Sequence, residues 1–185
     1  ERAALIAWIQ DEHPDTAVLI NNAALQSPLD FLHDTPQHLQ ATLAQELALN
    51  LEAPIALAAG LLPLLAQHPR GAIINITTAL ALAPKKSAPV YCASKAGLRN
   101  FTRALRYQTE AAAPHIQVQE IIPPLVATRM TAGRGTGKMT PEAVATAIIR
   151  AIERGDSEHY IGKTRLLKWL LRLAPGVAYR ILKDG

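Results

Sequence analysis

The sequence predicts an α/β fold, a doubly wound parallel sheet with helices on both faces. Three short runs of branched apolar residues, 16–23, 71–78 and 116–122, have the composition of strands covered on both sides. Long helical patterns separate each run from the next, and such alternation is typical of right-handed crossovers that build a parallel sheet. The chain has 185 residues, 49% of them hydrophobic, which fits a single globular domain.

The helical patterns can be placed in order along the chain. They predict helices over 1–12, over 35–67 with a bend near Pro54, over 91–112, and from Pro141 onward. Thr140 is a favourable N-cap, and a proline suits the first helical position that follows it. A weaker fourth strand is predicted over 159–162, after this last helix.

Composition excludes several classes of protein. A single cysteine cannot form an internal disulfide, so a reducing, cytoplasmic setting is expected. The net charge is +4, but aromatic residues make up only 4% of the chain, which disfavours a nucleic-acid binder. The apolar run 53–66 is too short and too interrupted by proline to span a bilayer, so we expect a buried core helix. The six histidines show no metal-ligand spacing, and no metal site is predicted.

The segment Tyr91-Cys92-Ala93-Ser94-Lys95 carries the strongest chemical signal. On a helix, positions i and i+4 share a face, so the phenol of Tyr91 and the ammonium of Lys95 are expected side by side. A nearby positive charge favours phenolate, which lowers the pKa of a tyrosine and suits it to general acid/base work on an alcohol or carbonyl oxygen. Taken alone, such a pair also occurs on exposed helices without any function. Cys92 has no paired histidine and is expected to be a small buried residue.

Polar or turn-forming residues follow each of the three predicted strands. Thr78 ends the second strand, Asn21 and Asn22 end the first, and the segment 123–128 follows the third. Open α/β sheets bind their ligands at the carboxyl edge of the strands. The Thr78 hydroxyl is therefore a candidate to hold a reacting oxygen, although a threonine at a strand end is also a common packing or turn residue.

Together these residues resemble the classical short-chain dehydrogenase/reductases. The resemblance covers essentially the whole chain and rests on the Asn-Asn-Ala-Gly-like turn at 21–24, Asn50, Thr78, Tyr-x-x-x-Lys at 91–95 and the Pro-Gly-like turn running to Thr128. It implies a Rossmann-like sheet and an oxidoreductase that transfers a hydride between NADP or NAD and a small carbonyl or alcohol. It also implies a homodimer or homotetramer.

The resemblance further assigns roles to individual residues. Tyr91 becomes the catalytic acid/base, and Lys95 binds the nicotinamide ribose and lowers the pKa of Tyr91. Thr78 polarises the substrate carbonyl, and Asn50 anchors a water in a proton relay; without the family, Asn50 is only a polar residue on a Leu/Ala-rich helix. The residues implied to contact the cofactor are Asn22, Ala23, Tyr91, Lys95, Pro123, Val126 and Thr128.

The chain departs from the family pattern at three positions. Thr78 stands where the family usually has serine, which keeps the hydroxyl but stiffens the side chain. Ala24 and Pro124 stand where the family has glycine. If either backbone requires a positive φ or a close approach to the cofactor, these replacements would be strained.

The glycine-rich phosphate-binding turn of the family does not occur in this sequence. The predicted helix 1–12 matches the segment just before the family's fourth strand, so the N-terminal strands are expected to be missing and 1–185 to be an incomplete Rossmann-like domain. The first residue is Glu1 and the chain has only 10 glycines, which fits that interpretation. The alternative function is a non-catalytic truncated protein or pseudoenzyme.

The tail 163–185 is predicted to be a basic amphipathic helical segment. Its helical spacing sets leucines at 166, 167, 170, 171 and 173 against Lys163, Arg165, Lys168 and Arg172, with an interruption at 174–176. Such a helix can lie on an anionic membrane surface. It can also pack on the substrate pocket or a dimer partner, which we favour. Ala79, Leu80, Leu82 and the loop 129–139 are expected to line that pocket, suggesting a substrate with an apolar part.

Overall fold

The computed structural model describes residues 1–133 and 135–184 as an α/β fold. Four strands, β1 (Val18–Asn21), β2 (Ala72–Ile76), β3 (Gln117–Ile122) and β4 (Glu158–Tyr160), form one sheet in the order β1-β2-β3-β4. Every neighbouring pair is parallel. The predicted fold class is therefore confirmed, and each predicted strand is present with shorter or shifted ends.

The described residues also form seven α-helices around this sheet. They are α1 (Arg2–Glu12), α2 (Pro36–Leu47), α3 (Ala53–Leu65), α4 (Pro89–Ala112), α5 (Pro141–Arg154), α6 (Thr164–Leu173) and α7 (Pro175–Lys183). Two single 3₁₀ turns, Ala79–Ala81 and Arg129–Thr131, follow β2 and β3. The Thr140 hydroxyl accepts a hydrogen bond from the Ala143 amide at 3.2 Å, which is the predicted N-cap of α5.

The core lies in two layers, one on each face of the sheet. Alternate residues of β2 face opposite sides, so Ile73 contributes to one layer, and Ile74 and Ile76 contribute to the other. The first layer also contains Leu61 and Leu65 of α3 and Leu105 of α4, whereas the second contains Val144 and Ala151 of α5. Burial on both faces explains why the strands are apolar nearly throughout.

The helix predicted over 35–67 runs without a break but changes its winding just before Pro54. A π-helical segment, Ala48–Glu52, joins α2 to α3. Pro54 has no amide hydrogen to donate to the carbonyl of Asn50, and its ring would crowd that carbonyl in a regular α-helix. The wider turn relieves this conflict, so the irregularity lies just before Pro54 and contains Asn50.

One helical stretch in the described residues, Pro36–Leu65, is long and apolar enough to cross a membrane by length and composition alone. Its inner face belongs to the core, since Ala58, Leu61 and Leu65 are at most 1% exposed. The expected core helix over 53–66 is thus buried along one face. The length and apolar composition of this stretch therefore fit a helix that packs against the sheet.

A chain of buried amides and hydroxyls crosses the layer between the sheet and α4. The Asn21 side-chain amide donates to Asn75 Oδ1 at 2.8 Å, and Asn75 Nδ2 donates to the Thr102 hydroxyl at 2.8 Å. Thr102 in turn donates to the carbonyl of Leu98 at 2.6 Å. Buried polar groups are costly unless they are paired, so these bonds fix how β1, β2 and α4 meet.

Replacing Asn75 should therefore destabilise the fold. Asn75→Ala leaves the buried Asn21 amide without its acceptor, and we expect the free energy of unfolding to fall by about 2 kcal/mol. Asn100→Ala, at an exposed position on α4, is the matched control and should change it by less than about 0.5 kcal/mol. Urea unfolding followed by circular dichroism measures both; equal values for the two variants would contradict a stabilising role for the buried chain.

Candidate active site

The carboxyl ends of β1, β2 and β3 meet at one edge of the sheet. In the register, Asn21 lies beside Asn75, and Asn75 lies beside Glu120. The segments that begin at Asn22, Thr77 and Pro123 therefore leave the sheet at the same edge. This is the arrangement expected for a ligand site in an open parallel sheet.

Helix α4 brings Tyr91 and Lys95 to this edge. The helix begins at Pro89, so Tyr91 lies in its first turn and Lys95 one turn later. Both side chains lie on the inward face, with Tyr91 8% and Lys95 2% exposed. Between them, Cys92 is also buried, and burial raises the pKa of its thiol, which fits a packing residue. The two predicted catalytic residues are thus neighbours on a buried helix face, which is not the exposed position of a functionless pair.

Lys95 reaches from α4 to the end of β2. Its ammonium donates a hydrogen bond to the carbonyl of Ile76 at 2.9 Å. Burial lowers the pKa of the Lys95 ammonium from its ordinary value of 10.5 to about 8. An ammonium can donate three hydrogen bonds, and the carbonyl of Ile76 is one acceptor for them.

Thr78 begins the 3₁₀ turn that follows β2. Its hydroxyl accepts a hydrogen bond from the Leu80 amide at 3.3 Å, and its backbone is extended with φ −162°. Thr77, just before it, donates its hydroxyl to Glu120 at 2.5 Å, and Glu120 is ion-paired with Arg99 of α4. The half-buried Thr78 therefore sits on a backbone fixed by a buried polar network.

Asn50 ties the loop after β1 to α4. Its side-chain oxygen accepts from the Leu25 amide at 2.8 Å, and its side-chain nitrogen donates to the Leu25 carbonyl at 2.8 Å and to the Ser94 hydroxyl at 3.2 Å. Ser94 donates in turn to the carbonyl of Tyr91 at 2.8 Å. These bonds connect the loop after β1 to the first turn of α4, and the predicted part of Asn50 in a water relay stays a prediction.

The loop after β1 follows the same edge with its side chains outward. Asn22 and Ala23 are exposed, and Ala24 is half-buried. Glu46 of α2 is fully buried below this loop and accepts from the Ser27 amide, and burial raises the pKa of its carboxyl. The sequence did not mark Glu46, because a glutamate on a helix is usually solvated.

The loop after β3 is folded into a compact turn. Val126 pairs with Met139 in a parallel bridge, and Thr128 and Thr131 form a capping box around the turn Arg129–Thr131. The Thr131 hydroxyl also donates to the carbonyl of Val126. Pro123 is half-buried where this loop leaves the sheet.

The condition of a positive φ, under which Ala24 and Pro124 would be strained, is not met. Within the described ranges, every residue with a positive φ is a glycine. The two positions have ordinary backbone conformations, so alanine and proline are accommodated where the family has glycine. Those departures from the pattern do not distort the edge of the sheet.

A cavity of about 630 Å³ opens at the 3₁₀ turn that follows Thr78, with Ala79 in its lining, but Thr78, Tyr91 and Lys95 are not among its lining residues. Its lining includes Ala79, Thr136 and Gly137, as expected from the sequence, but Leu80 and Leu82 are not among its lining residues. Most of the lining is apolar and comes from the tail helices, with Leu166, Leu167, Leu170 and Leu173 of α6 and Ile181 and Leu182 of α7. In the sequence, only the amphipathic spacing of the tail indicated that the tail would line the cavity. That spacing did not show which side of α6 would face it.

Comparisons with known proteins identify relatives of this chain. The family described as short chain dehydrogenase matches residues 1–138. The uncharacterized oxidoreductase DltE of Bacillus subtilis (strain 168) is 38% identical over 128 residues, which cover 69% of this chain and 49% of that protein. The ketoacyl reductase HetN of Nostoc sp. is 31% identical over 181 residues, covering 92% of this chain and 60% of that protein. The chain therefore spans about half the length of the curated relatives it matches.

A solved structure shows the same fold. The crystal structure of a short chain dehydrogenase from Burkholderia cenocepacia J2315, in complex with NADP, matches with a TM-score of 0.84 and 25% sequence identity. The match covers 97% of this chain and 76% of that chain. The arrangement of sheet and helices described above is thus the arrangement found in a dehydrogenase that binds NADP.

The buried cation at this edge should be costly to stability. Below pH 8 both the folded and the unfolded states carry the Lys95 proton, and only the folded state bears the cost of burying the charge. We expect Lys95→Met to raise the free energy of unfolding at pH 7 by about 2 kcal/mol, after allowance for the lost bond to Ile76. Between pH 8 and 10.5 the unfolded state holds more protons, so the native protein gains stability and the advantage of the variant should disappear.

Unfolding curves from pH 7 to 10.5 check this expectation. Lys183→Met replaces an exposed lysine and should show no comparable dependence on pH. A Lys95→Met variant that is less stable than the native protein at pH 7 would show that the ammonium is stabilised in the fold, contrary to the lowered pKa of Lys95.

Proposed function

The chain belongs to the short-chain dehydrogenase family, and on that premise we propose that it transfers a hydride between NADP or NAD and a carbonyl or alcohol, with Tyr91 moving the proton. The observation that carries the proposal is the pair Tyr91 and Lys95, buried together where three parallel strands end. Membership confirms the resemblance inferred from the sequence. The individual roles of the residues are part of the proposal.

The described residues fit the nicotinamide-ribose half of such a cofactor. The Lys95 ammonium is buried and hydrogen-bonded to one backbone carbonyl, and ribose hydroxyls are acceptors that suit its other donors. Asn22, Ala23 and Thr128 are exposed around the same edge, where they are available for contact. When bound, the nicotinamide would supply or accept the hydride. No residue is assigned to the pyrophosphate, because the glycine-rich turn does not occur in the sequence.

Tyr91 and Thr78 would both contact the reacting oxygen of the substrate. A cation on the next turn of the same helix favours the phenolate form of a tyrosine, so the Tyr91 hydroxyl is suited to give or take the proton. The Thr78 hydroxyl, held at the start of its 3₁₀ turn, would hold the substrate oxygen. Asn50 would keep the first turn of α4 in place through Ser94.

The cavity supports a substrate with an apolar part. Its walls are mainly leucine, isoleucine and proline side chains, and it begins at Ala79, the residue after Thr78. The name of the Nostoc relative, a ketoacyl reductase, agrees with such a substrate. We retain a homodimer or homotetramer in a cytoplasmic setting as part of the proposal, testable by light scattering and by cell fractionation.

Removing the Tyr91 hydroxyl should abolish turnover and leave the fold intact. We expect Tyr91→Phe to lower kcat by about 10²–10⁴-fold, because proton transfer loses its positioned acid or base. Tyr107→Phe, on the same helix but 62% exposed, should leave kcat unchanged. The assay uses the complete protein with NADPH and NADH over a panel of apolar carbonyls, together with a fluorescence titration of cofactor.

The titration separates the proposal from its alternative. Cofactor binding without loss of turnover in Tyr91→Phe would contradict the role of Tyr91. Absence of both cofactor binding and turnover in the native protein would support a non-catalytic member of the family.

Two replacements of Thr78 separate its hydroxyl from its methyl group. Thr78→Ser keeps the hydroxyl and should keep turnover within about threefold of the native protein. Thr78→Val keeps the shape of the side chain but removes one hydrogen bond to the reacting oxygen, so its kcat should fall roughly 10²-fold or more. Steady-state kinetics measure both. Equal activity of the serine and valine variants would assign Thr78 to packing.

A further inference from the structure

The outer side of the tail carries large apolar side chains that face solvent. They are Leu166, Trp169 and Leu173 of α6 and Val177 and Ile181 of α7, with exposed fractions of 71%, 60%, 79%, 46% and 60%. We call these five residues, with the basic residues of 163–183, the tail surface. Single exposed apolar residues are common, but a contiguous group of this kind usually marks a binding surface.

The exposed apolar residues form one continuous surface. Positions 166, 169 and 173 follow the i, i+3, i+7 spacing of one helix face. All three line the cavity described above, together with Ile181 of α7 and Leu125 of the loop after β3, which is itself 38% exposed. The mouth of the cavity therefore lies within the tail surface.

Charge on the tail surface is mostly positive. Residues 163–184 contain one acidic side chain, Asp184, and six basic ones, Lys163, Arg165, Lys168, Arg172, Arg180 and Lys183. Asp156 and Glu158 border this surface, in a pocket that Arg165, Lys168 and Trp169 also line. Asp184 is ion-paired with Lys86 at 2.5 Å. Lys168 lies over the ring of Tyr160, and Arg165 donates to the carbonyl of Tyr160, so these two cations have fixed positions beside the apolar face.

We propose that the tail surface docks the protein on an anionic lipid bilayer. The leucines and Trp169 would enter the boundary between headgroups and acyl chains, and the basic side chains would contact lipid phosphates. A tryptophan with an apolar body and a polar nitrogen suits that boundary. This proposal does not depend on catalysis, and docking in this orientation places the mouth of the cavity at the lipid interface.

The charges argue against a second copy as the occupant. Pairing this surface with itself would bring two sets of six cations together around a dehydrated apolar contact, and like charges in contact are unfavourable. An anionic bilayer meets the same surface with opposite charge and an apolar interior. A lipid bilayer therefore complements both the apolar and the basic side chains of the tail surface.

The experiment uses the complete protein and sedimentation with vesicles of phosphatidylcholine alone or with 30% phosphatidylglycerol. We expect binding to the anionic vesicles to be at least tenfold tighter than to the neutral ones, and to weaken in 0.5 M salt. In a Trp8→Phe background, which leaves Trp169 as the only tryptophan among these 185 residues, its fluorescence should shift to the blue on binding.

Matched variants locate the contact. Leu173→Ser should weaken binding by about fivefold or more, whereas Leu32→Ser, which removes a leucine that is 89% exposed elsewhere, should not. Arg172→Gln and Arg180→Gln should each weaken binding to the anionic vesicles by about fivefold. Arg70→Gln and Arg150→Gln, at exposed positions outside the tail surface, should change that binding little.

Three results would overturn the proposal. The first is that the protein does not bind anionic vesicles at low salt. The second is that Leu173→Ser and Arg172→Gln leave vesicle binding unchanged. The third is that the protein forms a dimer that Leu173→Ser dissociates, and does not bind vesicles. Circular dichroism of each variant shows whether its fold is retained. Because the readout is lipid binding, this proposal can fail while the proposed dehydrogenase activity holds, and the reverse is equally possible.

Discussion

A lysine ammonium that is only 2% exposed must be held close to acceptors, and in this chain that requirement determines how α4 meets the sheet. Lys95 spans the gap between the second turn of α4 and the carbonyl of Ile76 at the end of β2. Gly97 lies on the same helix, and a β-carbon there would come within 3.2 Å of Leu51, so the helix lies close to the π-helical segment. Burying the Lys95 ammonium costs stability and lowers its pKa. Buried groups with strongly shifted pKa values are typical of functional sites.

The edge that receives Lys95 is stiffened by two buried polar systems. Asn21, Asn75 and Thr102 connect β1 and β2 to α4. Thr77, Glu120 and Arg99 connect β2 and β3 to the same helix. Because both systems lie directly below the ends of the strands, the loops that carry Asn22, Thr78 and Pro123 begin from a fixed frame.

The sequence predicted the parts of this arrangement that depend on local pattern. Apolar runs marked the strands, and the i, i+4 spacing of Tyr91 and Lys95 marked their shared helix face. It could not show that Asn75 joins Asn21, because the two are 54 residues apart and only the folded register brings them together. It also could not show whether Ala24 or Pro124 requires a positive φ, since φ at a loop residue is set by tertiary contacts, and neither residue has one. Likewise, the bend expected near Pro54 is a change of winding in the turn before it.

The width of the apolar side of α6 connects the cavity to the basic composition of the tail. Its six apolar positions, 166, 167, 169, 170, 171 and 173, span roughly 200° of the helix, about twice the stripe that a surface helix needs to cover a core. Leu167 and Leu170 are half-buried against the rest of the fold, whereas Leu166, Trp169 and Leu173 remain exposed. These three side chains also line the cavity, so the exposed half of the arc surrounds its mouth. The excess basic charge of the chain lies in the same tail and borders that exposed half, so the apolar arc and the charge form one surface around the mouth of the cavity.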